Sequence, residues 1–295
     1  MDAILVFVAQ VLTASVPLVL AASGGVLSER AGVATITLEA YLLAGAFGAS
    51  VAALATGSSL VASVAAMALG ALVGLLFAWG AVTLRAHAIV VGVAVNLLAA
   101  AGTRVALKVL YDSASNSPPL PIAQGASGMS LGMTALRAAL ASPPLWLAPF
   151  VVAGAHLLFA RSVFGMRVAA CGEHPDAARS QGVAVERVRL VALTVGGAVA
   201  ALGGAQLALD QHEFVAYMSG GRGFLALAAV ILGRWEPLGA VRWALVIGAL
   251  MALETTLAGN VAGARTAVLH ALPYALTLAA VVARVGRSRP PAALG

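Results

Sequence analysis

The stretch Leu60–Thr83 reads LVASVAAMALGALVGLLFAWGAVT and carries no charged side chain. A bilayer core takes about 20 apolar residues per helix, because every backbone N–H and C=O has to be paired inside the segment. This run therefore predicts a helix whose solvent is lipid. Working outward from it, runs of the same kind occupy 3–22, 33–55 and 88–110, then 144–161, 189–209, 213–233, 238–258 and 266–285. The expected fold class is all-α, a polytopic membrane helix bundle with about nine transmembrane segments.

Composition agrees. Of 295 residues 61% are hydrophobic and 9% charged, and the mean hydropathy is +1.00. A coiled coil or a disordered chain would be charge-rich, and a collagenous chain would place glycine at period three. No polar block between the apolar runs is one that could fold separately, so residues 1–295 read as a single domain. Asp2 and the absence of a basic start imply that the first apolar run stays as a helix and is not a cleaved leader. The formal charge of +6 comes from arginines set singly between apolar runs, which fits membrane topology and not nucleic acid.

Two polar stretches interrupt the pattern, 111–143 and 162–188. The first, with Pro118, Pro119, Pro121 and the run Gly125 to Gly132, reads as an irregular extracytoplasmic loop. The second is arginine-rich and is placed in the cytoplasm, since Lys and Arg accumulate there. Arg30, Arg85, Arg161, Arg234, Arg242, Arg284, Arg287 and Arg289 then share its side, which gives an external N-terminus and a cytoplasmic C-terminus. Segment 213–233 is broken by Ser219, Gly220, Gly221, Arg222 and Gly223, and two half-helices lining a cavity or buried in protein are expected there. Gly70 with Gly74, and Gly196, Gly197, Gly203 and Gly204, predict close backbone packing between helices.

A phosphate-binding loop needs a Lys after its glycines, and Lys108 lies in Val105-Ala106-Leu107-Lys108 inside an apolar run, so this chain holds no nucleotide by that motif. Gly125-Ala126-Ser127-Gly128 and Gly128-Met129-Ser130-Leu131-Gly132 match short serine-hydrolase patterns. They fall in one loop with no strand before them and no base held nearby, so chance is the favoured explanation and no catalytic residue is assigned. His87, His156, His174 and His270 occupy four separate segments, and no metal site is argued. The single Cys171 reads as a structural thiol.

Polar residues inside the apolar runs are Glu39, Asn96, His156, Gln206, Glu254 and His270. Such residues face a bundle interior, where they form a path or hydrogen-bond neighbouring helices. Glu39 is expected to be neutral or paired with an arginine such as Arg30. In the 162–188 loop, Pro175 at a first helical position, Asp176 in the first turn, Arg179 late and Gly182 just beyond describe a short helix. So short a helix needs a partner surface, and small Ala177 and Ala178 would let another protein approach; a plain interhelical turn is the alternative.

Ser23-Gly24-Gly25-Val26-Leu27-Ser28-Glu29-Arg30-Ala31-Gly32-Val33, with Leu38-Glu39 and Leu43-Ala44-Gly45-Ala46-Phe47, resembles the signature after the first helix of nucleoside and simple-sugar ABC permeases. Gly92-Val93-Ala94-Val95-Asn96-Leu97-Leu98, the loop from Phe164-Gly165-Met166-Arg167 to Arg189, and Gly221-Arg222-Gly223-Phe224-Leu225 through Gly233-Arg234-Trp235 follow in the family's order. These permeases sit within the branched-chain amino acid and ribose permease family. Thr35, Thr37 and Ala40 stand where that family commonly shows Asn, Gly and Gly.

The resemblance implies a type II ABC importer transmembrane domain in a bacterial inner membrane, moving a nucleoside or simple sugar. Two permease subunits, identical or homologous, would form the path, partner ATPase subunits would hold ATP and Mg, and a solute-binding protein would deliver the substrate. Glu39, Asn96, Gln206 and Phe224 are the expected path residues, and Glu173, His174, Pro175, Asp176, Ala177, Ala178, Arg179 and Gly182 the expected coupling surface for the ATPase. The alternatives are an intramembrane serine hydrolase using Ser127 or Ser130, and an ion-coupled secondary transporter working through Glu39 or Glu254.

Overall fold

The structure, a computed structural model, describes residues 2–121, 133–134, 136, 140–258, 264–284 and 290–294. Among the described residues eleven α-helices follow one another: α1 (Asp2–Arg30), α2 (Leu38–Thr56), α3 (Ser59–Ala78), α4 (Ala88–Tyr111), α5 (Pro143–Arg161), α6 (Val163–Glu173), α7 (Pro175–Ser180), α8 (Val185–Gln211), α9 (Arg222–Leu232), α10 (Pro237–Ala258) and α11 (Ala264–Arg284). A π-turn, Trp79–Thr83, carries α3 onward. Local chemistry sets several ends. Ser162 Oγ accepts from Gly165 N at 2.9 Å to start α6, and proline occupies the first turn of α5 and of α7, where its missing N–H costs nothing.

Seven helices are long and apolar enough to cross a membrane: α1, α2, α3 with its π-turn, α4, α5, α8 and α10. Two further apolar helices, α9 and Leu269–Ala283 within α11, are shorter. The eleven residues of α9 reach only about 16 Å, roughly half of a bilayer core. The expected segment 213–233 is thus no continuous span, and 212–221 lies outside any helix. Its first part pairs with the loop after α4: Asn116 and Val215 form an isolated antiparallel bridge, Ser117 N donates to Phe214 O at 2.9 Å, and Leu120 N donates to His212 O at 2.7 Å. The start of the 111–143 loop is therefore ordered by backbone pairing. Ser127 and Ser130 lie outside the described residues.

Helix α8 is the axis of the bundle, with α1, α2 and α3 packed around it. The contacts are made by glycine. A Cβ on Gly24 would overlap the Gly196 carbonyl, one on Gly204 the Leu42 carbonyl, and one on Gly74 would lie 2.6 Å from the Leu193 carbonyl oxygen. Lipid tails are as apolar as leucine, so helices in a bilayer gain by van der Waals contact when their backbones come close, and small residues permit it. The glycines singled out in the sequence sit at these crossings.

Two interruptions open helix starts inside the bundle. The sequence predicts one helix over 33–55, but 31–37 is turn and irregular chain and α2 begins only at Leu38. Tyr41 packs on Gly197, near the middle of α8, so the first turn of α2 opens at mid-depth. The second interruption is 212–221, which delivers the first turn of α9 to the same level: Gly223 lies directly against Leu38 and Glu39. The opposite side of the bundle gathers the ends of α1 and α5 at Arg30 and Arg161, with Arg189 near the start of α8; it is the arginine-rich end.

Candidate functional site: a junction of two helix starts

Helix starts leave N–H groups without intrahelical acceptors, and at mid-depth in a membrane no water supplies them freely. Side chains do so here. Glu39 Oε1 accepts from Gly221 N and Oε2 from Gly223 N, both at 2.8 Å, so one carboxylate closes the first turn of α9 from the first turn of α2. Asn96 on α4 does the corresponding work for α2. Its Oδ1 accepts from Ala40 N at 3.0 Å while its Nδ2 donates to Ile36 O at 3.1 Å, bridging the non-helical segment 31–37 and the helix it leads into. A carboxylate at the positive end of a helix is favoured by the peptide dipoles as well as by the hydrogen bonds.

Around this knot, Arg222 Nη1 donates to Met218 O at 3.0 Å and to Ser219 O at 3.4 Å, folding its guanidinium back on the turn. Tyr274 Oη donates to Gly220 O at 2.6 Å from α11. Arg104 Nη1 donates to Tyr217 Oη at 3.2 Å and lies over the ring, 5.6 Å from its centroid. Tyr217 holds a φ of 62°, a conformation uncommon for a residue with a Cβ. Phe224, one residue into α9 from Gly223, is half exposed.

Of the expected path residues, Glu39, Asn96 and Phe224 are brought together here. Gln206 is not: it is buried at 1% exposure and its Oε1 accepts from Ser142 Oγ at 2.8 Å, which ties α8 to the start of α5. Glu39 does not pair with Arg30 either. Arg30 lies over the Phe159 ring, 5.0 Å from its centroid, and two backbone N–H groups satisfy Glu39 instead. Glu254 and His270 meet at 2.5 Å between α10 and α11, and His156 is exposed on α5.

Sequence reasoning passed over a second buried carboxylate. Glu29 Oε1 accepts from Thr35 N at 3.2 Å and Oε2 from Trp235 Nε1 at 2.5 Å, tying the non-helical segment 31–37 to the turn after α9. The available signal was an acid at the end of an apolar run, inside Ser28-Glu29-Arg30, with an indole donor in the last matching block.

At the arginine-rich end, α7 forms as its proline and charges predict, with Arg179 paired to Asp176 at 3.2 Å and to Glu186 at 2.8 Å. Its two alanines face opposite ways. Ala177 is exposed together with Glu173, His174, Asp176, Arg179 and Gly182, and Pro175 is half-buried. Ala178 packs inward with Leu27, Ala31, Val168 and Cys171, so it serves the chain's own core and not an outer surface. Burial pushes the Cys171 thiol above its ordinary range, against a smaller opposing pull from Arg189, as befits a structural thiol.

Comparison with known proteins places the chain in a family. The chain is 33% identical to the guanosine ABC transporter permease protein NupQ of Bacillus subtilis, over 98% of this chain and 95% of that protein. It is 30% identical to the nucleoside ABC transporter permease protein NupC of Lactococcus lactis over the same shares. A solved structure described as an inward-facing conformation of a metal-chelate type ABC transporter shares the fold, with a TM-score of 0.51 at 16% identity over 94% of this chain and 86% of that one. A profile described as branched-chain amino acid transport system / permease component matches residues 7–281. This polytopic membrane chain therefore belongs to the branched-chain amino acid transport system permease family, a family of transport subunits and not of enzymes.

Proposed function

We propose that this chain is a permease subunit of an ATP-driven importer in a bacterial inner membrane, that its substrate is a nucleoside, and that the solute passes the junction of α2 and α9. The observation that carries the reading is that junction. Two helix starts meet near the midplane and are capped there by a carboxylate and an amide, and irregular backbone at that depth is tolerated where it lines a cavity. Glu39, Asn96 and Phe224 line the path in this reading, while Gln206 belongs to packing. The nucleoside follows from the two nucleoside permeases that the chain resembles over nearly its full length. Family membership sets aside the serine-hydrolase and secondary-transporter alternatives.

The partners follow from the same reading. A separate ATPase subunit holds ATP and Mg, a second permease subunit completes the path, and a solute-binding protein feeds it. The N-terminus is external and the arginine-rich end cytoplasmic, where α7 meets the ATPase. The test is uptake by cells that carry the full set of subunits and lack other nucleoside transporters. Labelled guanosine, adenosine or cytidine should accumulate, deletion of this chain should abolish the signal, and ribose should not accumulate. Accumulation of ribose without any nucleoside would sink the substrate assignment.

The orientation of the two alanines gives a sharper test of coupling. Ala177→Trp adds bulk to the outward face of α7 and should release the ATPase while leaving the membrane bundle intact. Ala178→Trp adds the same bulk inside the core, where overpacking costs about 1–3 kcal/mol or more, and should lower the yield of folded permease. Co-purification of the ATPase, normalised to monodisperse permease, separates the two effects. Full ATPase binding by Ala177→Trp would remove this face from the interface.

A further inference from the structure

One side chain bonds both to the α6–α7 region and to the segment that leads into the junction of α2 and α9. Arg189 Nε donates to Ala31 O at 2.9 Å, and its Nη2 donates to Cys171 O at 3.1 Å. These carbonyls belong to different elements: Cys171 lies on α6, next to α7, and Ala31 is the first residue after α1. The backbones touch at the same place. A Cβ on Gly172 would overlap the Arg30 carbonyl, and Gly32, at a φ of 81°, has Gly172 Cα 3.1 Å from where its own Cβ would stand.

Ala31 begins the non-helical segment 31–37, whose far end is held by Asn96 and runs directly into the first turn of α2 with Glu39 and Ala40. Between those ends Thr35 N is fixed on Glu29. Residues 31–37 make no helical ladder that could absorb a displacement by stretching its own bonds. The segment is thus held near both ends by side chains, from Arg189 at Ala31 and from Asn96 at Ile36.

Building on the assignment of α7 as the ATPase contact, we propose that Arg189 is the positioning residue through which movement of the α6–α7 loop reaches the Glu39–Asn96 junction. Both bonds run from a cation to a backbone carbonyl, which makes them stronger than neutral ones, and the planar guanidinium fixes their relative direction. A push that shifts Cys171 therefore shifts Ala31 with it, and the six residues that follow carry the shift to the first turn of α2. Arg189 touches neither solute nor nucleotide in this mechanism.

The experiment uses the assembled complex in proteoliposomes with Phe224→Cys as a reporter, the buried Cys171 providing a silent background. Maleimide labelling of position 224 is compared before and after trapping the ATPase with ATP and vanadate. With Arg189 present the labelling rate should change on trapping by roughly tenfold, the order of a site-to-site coupling. Arg189→Gln should bind the ATPase in equal amount and hydrolyse ATP, yet lose that change. Arg189→Lys, which keeps the charge but has no fork to span two carbonyls, should recover only part of it. An unaltered labelling change in both variants overturns the inference alone, as does loss of ATPase binding, which would make the residue merely structural. A complex with Arg189 in place that captures no ATPase overturns the α7 assignment and the inference with it.

Discussion

Replacing Glu39 by Leu is expected to stop uptake while the subunits still assemble. The substitution removes both acceptors at the start of α9, leaving Gly221 N and Gly223 N without the oxygens that now lie at 2.8 Å. A buried donor left unpaired costs about 1–3 kcal/mol, so the pair is worth roughly 2–6 kcal/mol. Glu39 is only half-buried, and water entering the junction brings the cost toward the lower end of that range. That cost falls on the first turn of α9, which nothing else pins to α2 by hydrogen bonding among the described contacts. The glycine-packed body of α8 with α1, α2 and α3 does not depend on it. The expected result is normal complex yield with nucleoside uptake reduced at least tenfold, a change of about 1.4 kcal/mol or more in the transport barrier. Glu39→Gln keeps one carbonyl oxygen, hence one of the two bonds, and should fall between. Unchanged uptake in Glu39→Leu would show that the knot is dispensable for passage.

Much of the bundle was legible in the sequence because the bilayer makes a simple demand. Runs such as 60–83 and 88–110 have no solution other than helix, and their boundaries in the structure fall within a residue of the apolar limits. The crossing glycines were legible for a related reason: in lipid, close approach is what small residues are for. The break at 31–37 was not. Val33-Ala34-Thr35-Ile36-Thr37 is nearly as apolar as the helix it precedes, and what replaces its helical bonds comes from Glu29 and from Asn96, remote in sequence. Hydropathy measures the tolerance of a segment for lipid and is blind to a distant amide that satisfies its backbone. The break at 212–221 was visible only because Gly220, Gly221 and Arg222 mark its end directly.

The coupling loop shows the same division. Pro175, Asp176 and Arg179 specify that a short helix forms, since those effects are local. Which alanine faces outward depends on how α7 lies on α1, α6 and α8, and no period can be read from six residues. Asn96 and Gln206 looked equivalent as lone amides in apolar helices. One bridges an open backbone and the other a single serine hydroxyl, a distinction made entirely by their neighbours.

The second large effect is expected at Gly45, where α2 crosses α8 one helical turn and a half beyond the knot. A Cβ there would overlap the Ala201 carbonyl oxygen and lie 2.6 Å from its carbon and 2.7 Å from its Cα. The obstacle is backbone, so no rotamer change relieves it and the helices have to separate. Overpacking in a core that can adjust costs about 1–3 kcal/mol. With both walls made of main chain, Gly45→Leu should exceed that and consume much of the roughly 5–15 kcal/mol by which folded proteins are stable. Gly102→Leu is the matched control: nothing lies within 4 Å of its would-be Cβ on α4, and leucine is the better helix former by up to about 1 kcal/mol. Size-exclusion of detergent-extracted protein should show Gly102→Leu at the native elution position in normal amount, and Gly45→Leu aggregated or absent. A monodisperse, transport-competent Gly45→Leu would mean that the α2–α8 crossing can open by more than a side chain without moving Glu39. In that case the depth of the junction would have to be set from the α4 side, by Asn96.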